Sequence, residues 1–237
     1  MTCTLVTPWL GRPLSPRSEP ARGGVDATAI LDWGAPVFEL LPTRAAGEAS
    51  SDHLRATHRT VGARIGAVYG LDDTQPASST LRRGLGSCSQ RLAVIEACAR
   101  RAGIATRVEG LVLRGEFWYP RFRYLRPFVP DRVLLAWPSF LIDDAWLDAS
   151  VVFSGTGCAA PQPFTNSGEE TLFDAAARAP ISWAPSGDPG CLDLSGAVVH
   201  SVGMFDSRDE LFAAYGQTLR RPVRVALDPL LRRRRAS

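Results

Sequence analysis

The chain has 237 residues, of which 45% are hydrophobic and 22% charged, and its formal net charge is +3. This composition is typical of a globular protein; it excludes a disordered or fibrous chain, and the length favours one domain over two. The charge is small and no basic face interleaved with aromatic residues accompanies it, so no nucleic-acid partner is predicted. Every basic residue is arginine, which excludes Schiff-base chemistry on lysine.

The ends of the chain differ in composition from its centre. Residues 1–26 are rich in Pro, Gly, Arg and Ser and are predicted to form an extended arm. Residues 27–228 are predicted to form a single domain, and residues 229–237 a solvated basic tail. No apolar stretch approaches the roughly 20 residues that span a bilayer, and residues 1–12 lack a signal-peptide pattern. We therefore expect a cytoplasmic protein without a membrane partner.

The cysteines argue against covalent or metal cross-links. They are scattered along the chain: Cys3, Cys88, Cys98, Cys158 and Cys191. Their odd number and the lack of C-x-x-C spacing predict free thiols, with neither a disulfide framework nor a zinc site. No metal and no cofactor are expected.

Helical spacing dominates the first half of the chain. A short helix beginning at Asp26 and an apolar PVFELL segment are predicted within residues 25–41. Apolar residues then recur on one face of a helix that is capped by Ser51 or Asp52 and runs to about Tyr69. Residues 71–86 are predicted to be a loop, and residues 87–101 a second helix that stops at Gly103.

The second half is predicted to begin with strands. Residues 106–113 and 132–142 have the period-two pattern of strands, and a tight turn at residues 143–144 leads into a third strand, residues 145–153, which makes a hairpin. Short helices with serine caps are predicted at residues 167–178 and 207–215, separated by a loop around residues 184–190. Helices on one face of an antiparallel sheet define an α+β fold.

Two segments resemble a known superfamily. The block GSCSQRLAVIEACARRAGIATRVEG, from Gly86 to Gly110, and the hairpin LAWPSFLIDDAWLDAS, from Leu135 to Ser150, are similar to the nucleophile helix, strand and hairpin of transglutaminase-like and papain-like thiol enzymes. The likeness spans residues 81–153. It implies a nucleophile helix packed on a small antiparallel sheet, with Cys88 at the nucleophile position.

The position of Cys88 supports that role on physical grounds. A thiol in the first turn of a helix lies near unpaired N–H groups and the positive end of the helix dipole, which stabilise a thiolate. The same N–H groups can stabilise the oxyanion of a tetrahedral intermediate. By contrast, Cys98 lies on the apolar stripe of the helix and is predicted to be a core residue.

The chain departs from the superfamily at the other two triad positions. The histidine position falls on Leu135, and the neighbouring Leu134 and Ala136 are no better; the acidic position falls on Ser150, two residues after Asp148. Three alternatives stay open. A histidine could come from another element, namely His53, His58 or His200; Glu109 or Asp131 could act as acid or base; or an activated substrate could need no proton shuttle.

An aromatic and basic loop follows the first strand. It contains Trp118, Tyr119, Arg121 and Arg123, which could line an apolar pocket for an anionic ligand or could equally be a packed loop. Leu135, Trp137 and Glu109 are further candidate lining residues, although Trp137 and Trp146 also suit the hairpin core.

Two functions are consistent with these features. The first, which the resemblance implies, is a thiol enzyme of bacterial specialised metabolism that takes an acyl group from a small-molecule or carrier-bound donor on Cys88 and transfers it or closes a ring. The second is a catalytically degenerate module that keeps the cleft and binds a small ligand or a carrier protein.

Overall fold

The computed structural model describes residue 17 and residues 20–122, 126–155 and 162–225. Within these ranges the helices are α1 (Ser50–Arg64), α2 (Ala77–Arg83), α3 (Cys88–Arg101), α4 (Ala149–Ser154), α5 (Leu172–Arg178) and α6 (Arg208–Tyr215). The strands are β1 (Gly66–Ala67), β2 (Leu85–Gly86), β3 (Thr106–Arg114), β4 (Arg132–Ile142), β5 (Ala145–Asp148), β6 (Ile181–Ser182), β7 (Leu192–Asp193) and β8 (Val198–Phe205). The predicted basic tail and most of the predicted arm lie outside the described residues, as do Cys3 and Cys158.

A four-stranded antiparallel sheet with strand order β5-β4-β3-β8 forms one layer of the fold. Short parallel pairs, β1 with β2 and β6 with β7, lie outside this sheet. Helix α3 is buried along most of its length and packs against α1, α2, α5 and the sheet. The α+β class predicted from the sequence is therefore confirmed.

Local signals explain both ends of α3. The Ser87 hydroxyl accepts a hydrogen bond from the Gln90 N–H (3.2 Å), and the Gln90 side chain accepts one from the Ser87 N–H (3.1 Å), which forms a capping box. At the other end Gly103 has a φ of 76°, and the Ile104 N–H donates to the Ala99 carbonyl at 2.9 Å. This is a Schellman stop, as the predicted glycine requires.

The predicted hairpin is confirmed in its first part and wrong in its last. Asp143 and Asp144 have φ values of 49° and 62°, the conformation of a two-residue turn with both residues left-handed. Strand β5, however, ends at Asp148, whose carboxylate accepts from the Ser150 N–H at 2.7 Å and begins α4. The apolar residues after Asp148 are therefore helical, because an aspartate N-cap interrupts the strand pattern.

Four further predictions need correction. Helix α1 ends at Arg64 and not near Tyr69; the following residues form β1. The predicted loop of residues 71–86 contains α2. Helix α5 begins only after its N-cap Thr171, not at Ser167. Within residues 25–41 the structure has a 3-10 helix, Pro36–Leu40, and no helix beginning at Asp26.

The sheet has two unlike faces. Alternation along β3 and β4 puts Thr106, Gly110 and Ala136 on one face, where Thr106 accepts a hydrogen bond from Arg100 of α3 and Gly110 lies against Leu211 of α6. The other face carries the odd-numbered residues of both strands, including Arg107, whose guanidinium stacks on Trp146. We name these the α3 face and the outer face. Among the described helices, none has the length and apolar character of a membrane span.

Candidate active site

Cys88 is the first residue of α3 and is half-buried against the hydrophobic core. Its neighbour Ser87 is the N-cap, so the chain enters the helix immediately before the thiol. The N–H groups of a first helical turn have no acceptor within the helix, and the dipole is positive there. The backbone around Cys88 therefore presents N–H donors that can stabilise an oxyanion next to the thiol.

Replacing Ser87 with alanine is expected to lower the free energy of unfolding by about 1 kcal/mol, because the Gln90 N–H loses its acceptor. Urea unfolding measures the change. Ser51→Ala is the matched control, since Ser51 lies in the first turn of α1 but is not its N-cap, and it should change stability by less than about 0.5 kcal/mol. Equal effects of the two substitutions would contradict the capping role.

The second cysteine of α3 has a different environment. Cys98 is 4% exposed, and burial raises the pKa of its thiol to about 12. It is a core residue, as its place on the apolar stripe predicted. Cys191 lies on a loop, where its thiol is 3.4 Å from an Asp188 carboxylate oxygen.

A loop holds a carboxyl group beside the start of α3. The Gln90 side chain donates to the Asp72 carbonyl (2.8 Å), and the Asp73 N–H donates to the Gln217 side chain (2.8 Å). These contacts orient the Asp73 carboxyl towards the Ser89 hydroxyl, with which it forms a hydrogen bond. Asp73 keeps some exposed surface, but desolvation of its carboxyl raises the pKa to about 6.

A buried ion pair continues this network into the core. The Arg208 Nε donates to Glu96 at 2.6 Å, and both side chains are fully buried. Arg208 also donates to the Ser89 hydroxyl (2.9 Å) and to the Ala136 carbonyl (3.3 Å). Burial raises the pKa of Glu96, and the Arg208 charge opposes that rise. The network thus runs from Glu96 to Asp73 and passes through the residue next to Cys88.

Sequence reasoning missed Asp73, Arg208 and Arg91. Asp73 lies in a stretch that was assigned only as loop, and Arg208 was assigned only to a helix start. Arg91 is separated from Cys88 by three positions, a spacing that puts two side chains on one face of a helix. That spacing was the available signal for Arg91, whereas no local signal pointed to the other two.

The three histidines of the chain make their contacts elsewhere. His58 is stacked on Phe173 and its Nε2 lies 3.0 Å from the Phe173 carbonyl oxygen, while burial lowers its pKa. His53 lies 3.6 Å from Glu48, and His200 is on β8. Among the described residues, none of these contacts joins a histidine to Cys88. The alternative of a histidine from another element gains no support.

Leu135, Trp137 and Glu109 share the outer face of the sheet. Trp137 is 1% exposed, packs edge-on against Trp183 and donates to Asp148. Glu109 accepts from the Ser201 hydroxyl at 2.6 Å. Leu135 is 6% exposed and pairs with Leu111 of β3, and its alignment with the histidine position stays a prediction.

The positions of β4 on the α3 face near Leu135 are Leu134 and Ala136, which are apolar. Ser150, at the position of the superfamily's acidic triad residue, has a structural role. It is buried, its hydroxyl donates to Asp148 (2.5 Å), and the same hydroxyl accepts from the Ile181 N–H (2.8 Å). Asp148 thus caps α4 and binds Trp137. Burial raises the pKa of this carboxyl group.

The aromatic loop is packed against the domain. The guanidinium of Arg121 donates to Asn166 (2.6 Å) and to the carbonyls of Gly168 (3.0 Å) and Glu170, so it anchors the segment of residues 166–170. Trp118 and Tyr119 are half-buried, and Arg123 lies outside the described residues. Packing, the second of the two interpretations, explains Arg121 directly.

One part of this loop does approach the start of α3. The rings of Phe122 and Tyr69 are in contact, with centroids 4.7 Å apart. Gly70, which follows Tyr69 in the chain, lies against the Gln90 side chain. A Cβ atom at Gly70 would be 2.6 Å from the Gln90 oxygen, so any larger residue there would have to displace the Gln90 side chain. The aromatic loop is therefore linked to the first turn of α3 through Tyr69.

Comparisons with protein-family models, with curated proteins and with solved structures found no match to this chain. In the part of the chain that the structure describes, no group of three histidine, cysteine or carboxylate side chains could hold a metal ion. The interpretation of the site consequently depends on its own geometry and chemistry.

Proposed function

We propose that the protein is a transglutaminase-like thiol acyltransferase or cyclase of bacterial specialised metabolism, with Cys88 as its nucleophile. The observation that carries the proposal is the half-buried thiol at the first residue of a long, capped helix. Among the described cysteines, Cys98 is deeply buried, with a pKa of about 12, and Cys191 lies on a loop. The helix start supplies thiolate stabilisation and oxyanion donors together.

The lack of a histidine beside Cys88 restricts the acyl donor. An amine leaving group must be protonated as it departs, and the site has no imidazolium for that step. A thioester donor avoids the problem, because its C–S bond breaks to release a thiolate while the Cys88 sulfur forms the new bond to the acyl carbon. Classical proteolysis and transamidation of amides are therefore disfavoured.

Asp73 suits the second half of the reaction. An amine, hydroxyl or carbon nucleophile of the substrate attacks the acyl carbon, the bond to the Cys88 sulfur breaks, and the Cys88 thiolate is restored. The nucleophile loses a proton in this step. With a pKa of about 6, Asp73 is ionised at neutral pH and can accept that proton through Ser89.

Acylation by a simple thioester tests the nucleophile. Incubation with S-acetyl-N-acetylcysteamine followed by peptide mass mapping should place one acetyl group on the peptide that contains Cys88. Cys88→Ala should lose this label, whereas Cys191→Ala, the matched control at a second half-buried cysteine, should keep it. Limited iodoacetamide treatment should likewise modify Cys88 before Cys98.

Two results would contradict the proposal. One is acetylation of Cys191 with Cys88 unmodified, and the other is a Cys88 that reacts no faster than the cysteines of the unfolded chain. The second result would favour the non-catalytic binding module, which is supported by Leu135 and Ser150 at the histidine and acidic positions of the superfamily.

A further inference from the structure

Arg91 lies one helical turn after Cys88 on the same face of α3. Residues three apart on a helix are neighbours, and long helical side chains point back towards the N-terminus. The Arg91 guanidinium is close enough to Cys88 for the two groups to interact electrostatically, in agreement with this spacing. This arrangement places a permanent positive charge beside the proposed nucleophile.

The guanidinium is buried and packed on an aromatic ring. Arg91 is 3% exposed, and its guanidinium carbon lies 3.7 Å from the centre of the Phe173 ring, a cation–π contact. Gly62 of α1 lies on another side of the guanidinium, since a Cβ atom there would be 3.6 Å from Nη2, an ordinary van der Waals distance. The plane of the guanidinium is thus fixed by α1 and α5 while the chain enters from α3.

One carboxylate partly balances the charge. An Asp174 oxygen lies 3.6 Å from Arg91 Nη2, which is too long for a good hydrogen bond. The other Asp174 oxygen accepts from the Thr171 N–H (2.9 Å) and hydroxyl (2.6 Å) and so caps α5. Asp174 therefore interacts with both Thr171 and Arg91, and it does not accept from every N–H group of the Arg91 guanidinium.

Two nitrogens of Arg91, Nε and Nη1, are buried and have no hydrogen-bond acceptor among the described residues. Burying a charged donor without an acceptor is costly, so these two nitrogens are suited to donate to an oxygen ligand that the described residues do not supply. Guanidinium donors favour carboxylate oxygens over neutral acceptors, because the hydrogen bonds are then charge-assisted.

We propose that Arg91 forms a subsite for a carboxylate of the acyl donor, next to the carbon that Cys88 attacks. The inference deepens the proposed function and depends on it. The substrate class becomes an acyl thioester whose acyl part carries a carboxylate close to the reacting carbonyl. Binding of that carboxylate orients the carbonyl over the start of α3, and a fixed charge can do this without any proton transfer of its own.

A pair of alkylating reagents of similar size tests the subsite. Iodoacetate carries a carboxylate and iodoacetamide is neutral; with each, the Cys88 thiolate forms an S–C bond and iodide leaves. The ratio of the two labelling rates at Cys88, iodoacetate over iodoacetamide, is measured at one pH by peptide mass mapping. In the folded protein the ratio should exceed that of the urea-unfolded chain roughly tenfold or more.

Variants assign the preference to Arg91. Arg91→Gln should reduce the ratio to that of the unfolded chain, and Arg91→Lys should keep part of it because the charge remains. Arg59→Gln is the matched control, since Arg59 is an exposed arginine on α1, and it should leave the ratio unchanged. Thermal melts establish that each variant is folded.

The failure of this inference is distinguishable from that of the proposed function. A wild-type ratio equal to that of the unfolded chain overturns the subsite, whatever the variants do. If iodoacetamide still labels Cys88 quickly in that case, the proposal that Cys88 is the nucleophile stands. An elevated ratio that survives in a folded Arg91→Gln protein also overturns it. A folded Cys88 that neither reagent modifies overturns both proposals.

Discussion

Arg208→Met is expected to lower the free energy of unfolding by about 3–5 kcal/mol, because it leaves the Glu96 charge buried without a partner. Both side chains are fully buried, so water cannot replace the lost guanidinium. The substitution also removes donors from the Ser89 hydroxyl and the Ala136 carbonyl. The side-chain volume is nearly kept, so the loss measures the polar contacts more than a cavity.

Urea unfolding of four variants, namely Arg208→Met, Glu96→Met, their double variant and the control Arg59→Met, separates the causes. Arg59→Met, at an exposed position of α1, should change stability by no more than about 0.5 kcal/mol. A double variant that also carries Glu96→Met should lose less than the sum of the two single changes, because no unpaired charge remains. An Arg208→Met protein as stable as the control would mean that Glu96 is protonated in the folded state and that the pair contributes no net stabilisation.

The sequence predicted elements whose signals are local. The capping box of α3 needs only Ser87 and Gln90, and its stop needs only Gly103. The turn of the hairpin needs only two consecutive aspartates. Each of these signals acts within a few residues, so a single sequence contains all the information. Strand β8 was missed, because its position in the sheet depends on pairing with β3, which lies more than 80 residues earlier.

The face of the sheet could not be read from β4. Leu134, Leu135, Ala136 and Trp137 are all at most 6% exposed, so no alternation of apolar and polar residues tells one face from the other. A one-residue change of register exchanges the two faces. Helix α6 on one side and Trp183 on the other decide which residues meet α3, and both come from later parts of the chain.

The polar part of the candidate site was hidden for the same reason. Asp73, Ser89 and Arg208 are joined by hydrogen bonds but come from a loop, α3 and α6. In the sequence each has an ordinary local role, as a loop residue, a helix-start residue or a helix-terminal charge. Among the residues of the candidate site, Cys88 alone was recognised from the sequence, because the local signal of a helix start marks the position where a nucleophilic thiol is expected.

Asp73→Asn is expected to stabilise the protein at neutral pH. Desolvation raises the pKa of Asp73 from 3.8 to about 6, and it outweighs the opposite effects of Ser89 and Arg208. Between about pH 4 and pH 6 the folded chain therefore holds this proton more tightly than the unfolded chain, so stability falls as pH rises through this window. Above it the full penalty, up to about 3 kcal/mol, is present. Asparagine carries no charge to desolvate, and its oxygen can still accept from Ser89.

The measurement is the difference in unfolding free energy between Asp73→Asn and the wild type from pH 4 to pH 8. Groups such as Glu96 and His58 titrate in both proteins, so their contributions cancel. The difference should be small near pH 4 and grow in favour of the variant up to about pH 7. Asp52→Asn, at an exposed position of α1, should show no such trend. A difference that does not vary with pH would show that Asp73 does not titrate in this range.

The same variant tests the role of Asp73 in acyl transfer. Asp73→Asn should release acetyl groups from Cys88 to an added amine more slowly than the wild type, because asparagine cannot accept the proton that the amine loses. A variant that is more stable but slower would indicate that the carboxyl group is kept for catalysis at a cost in stability.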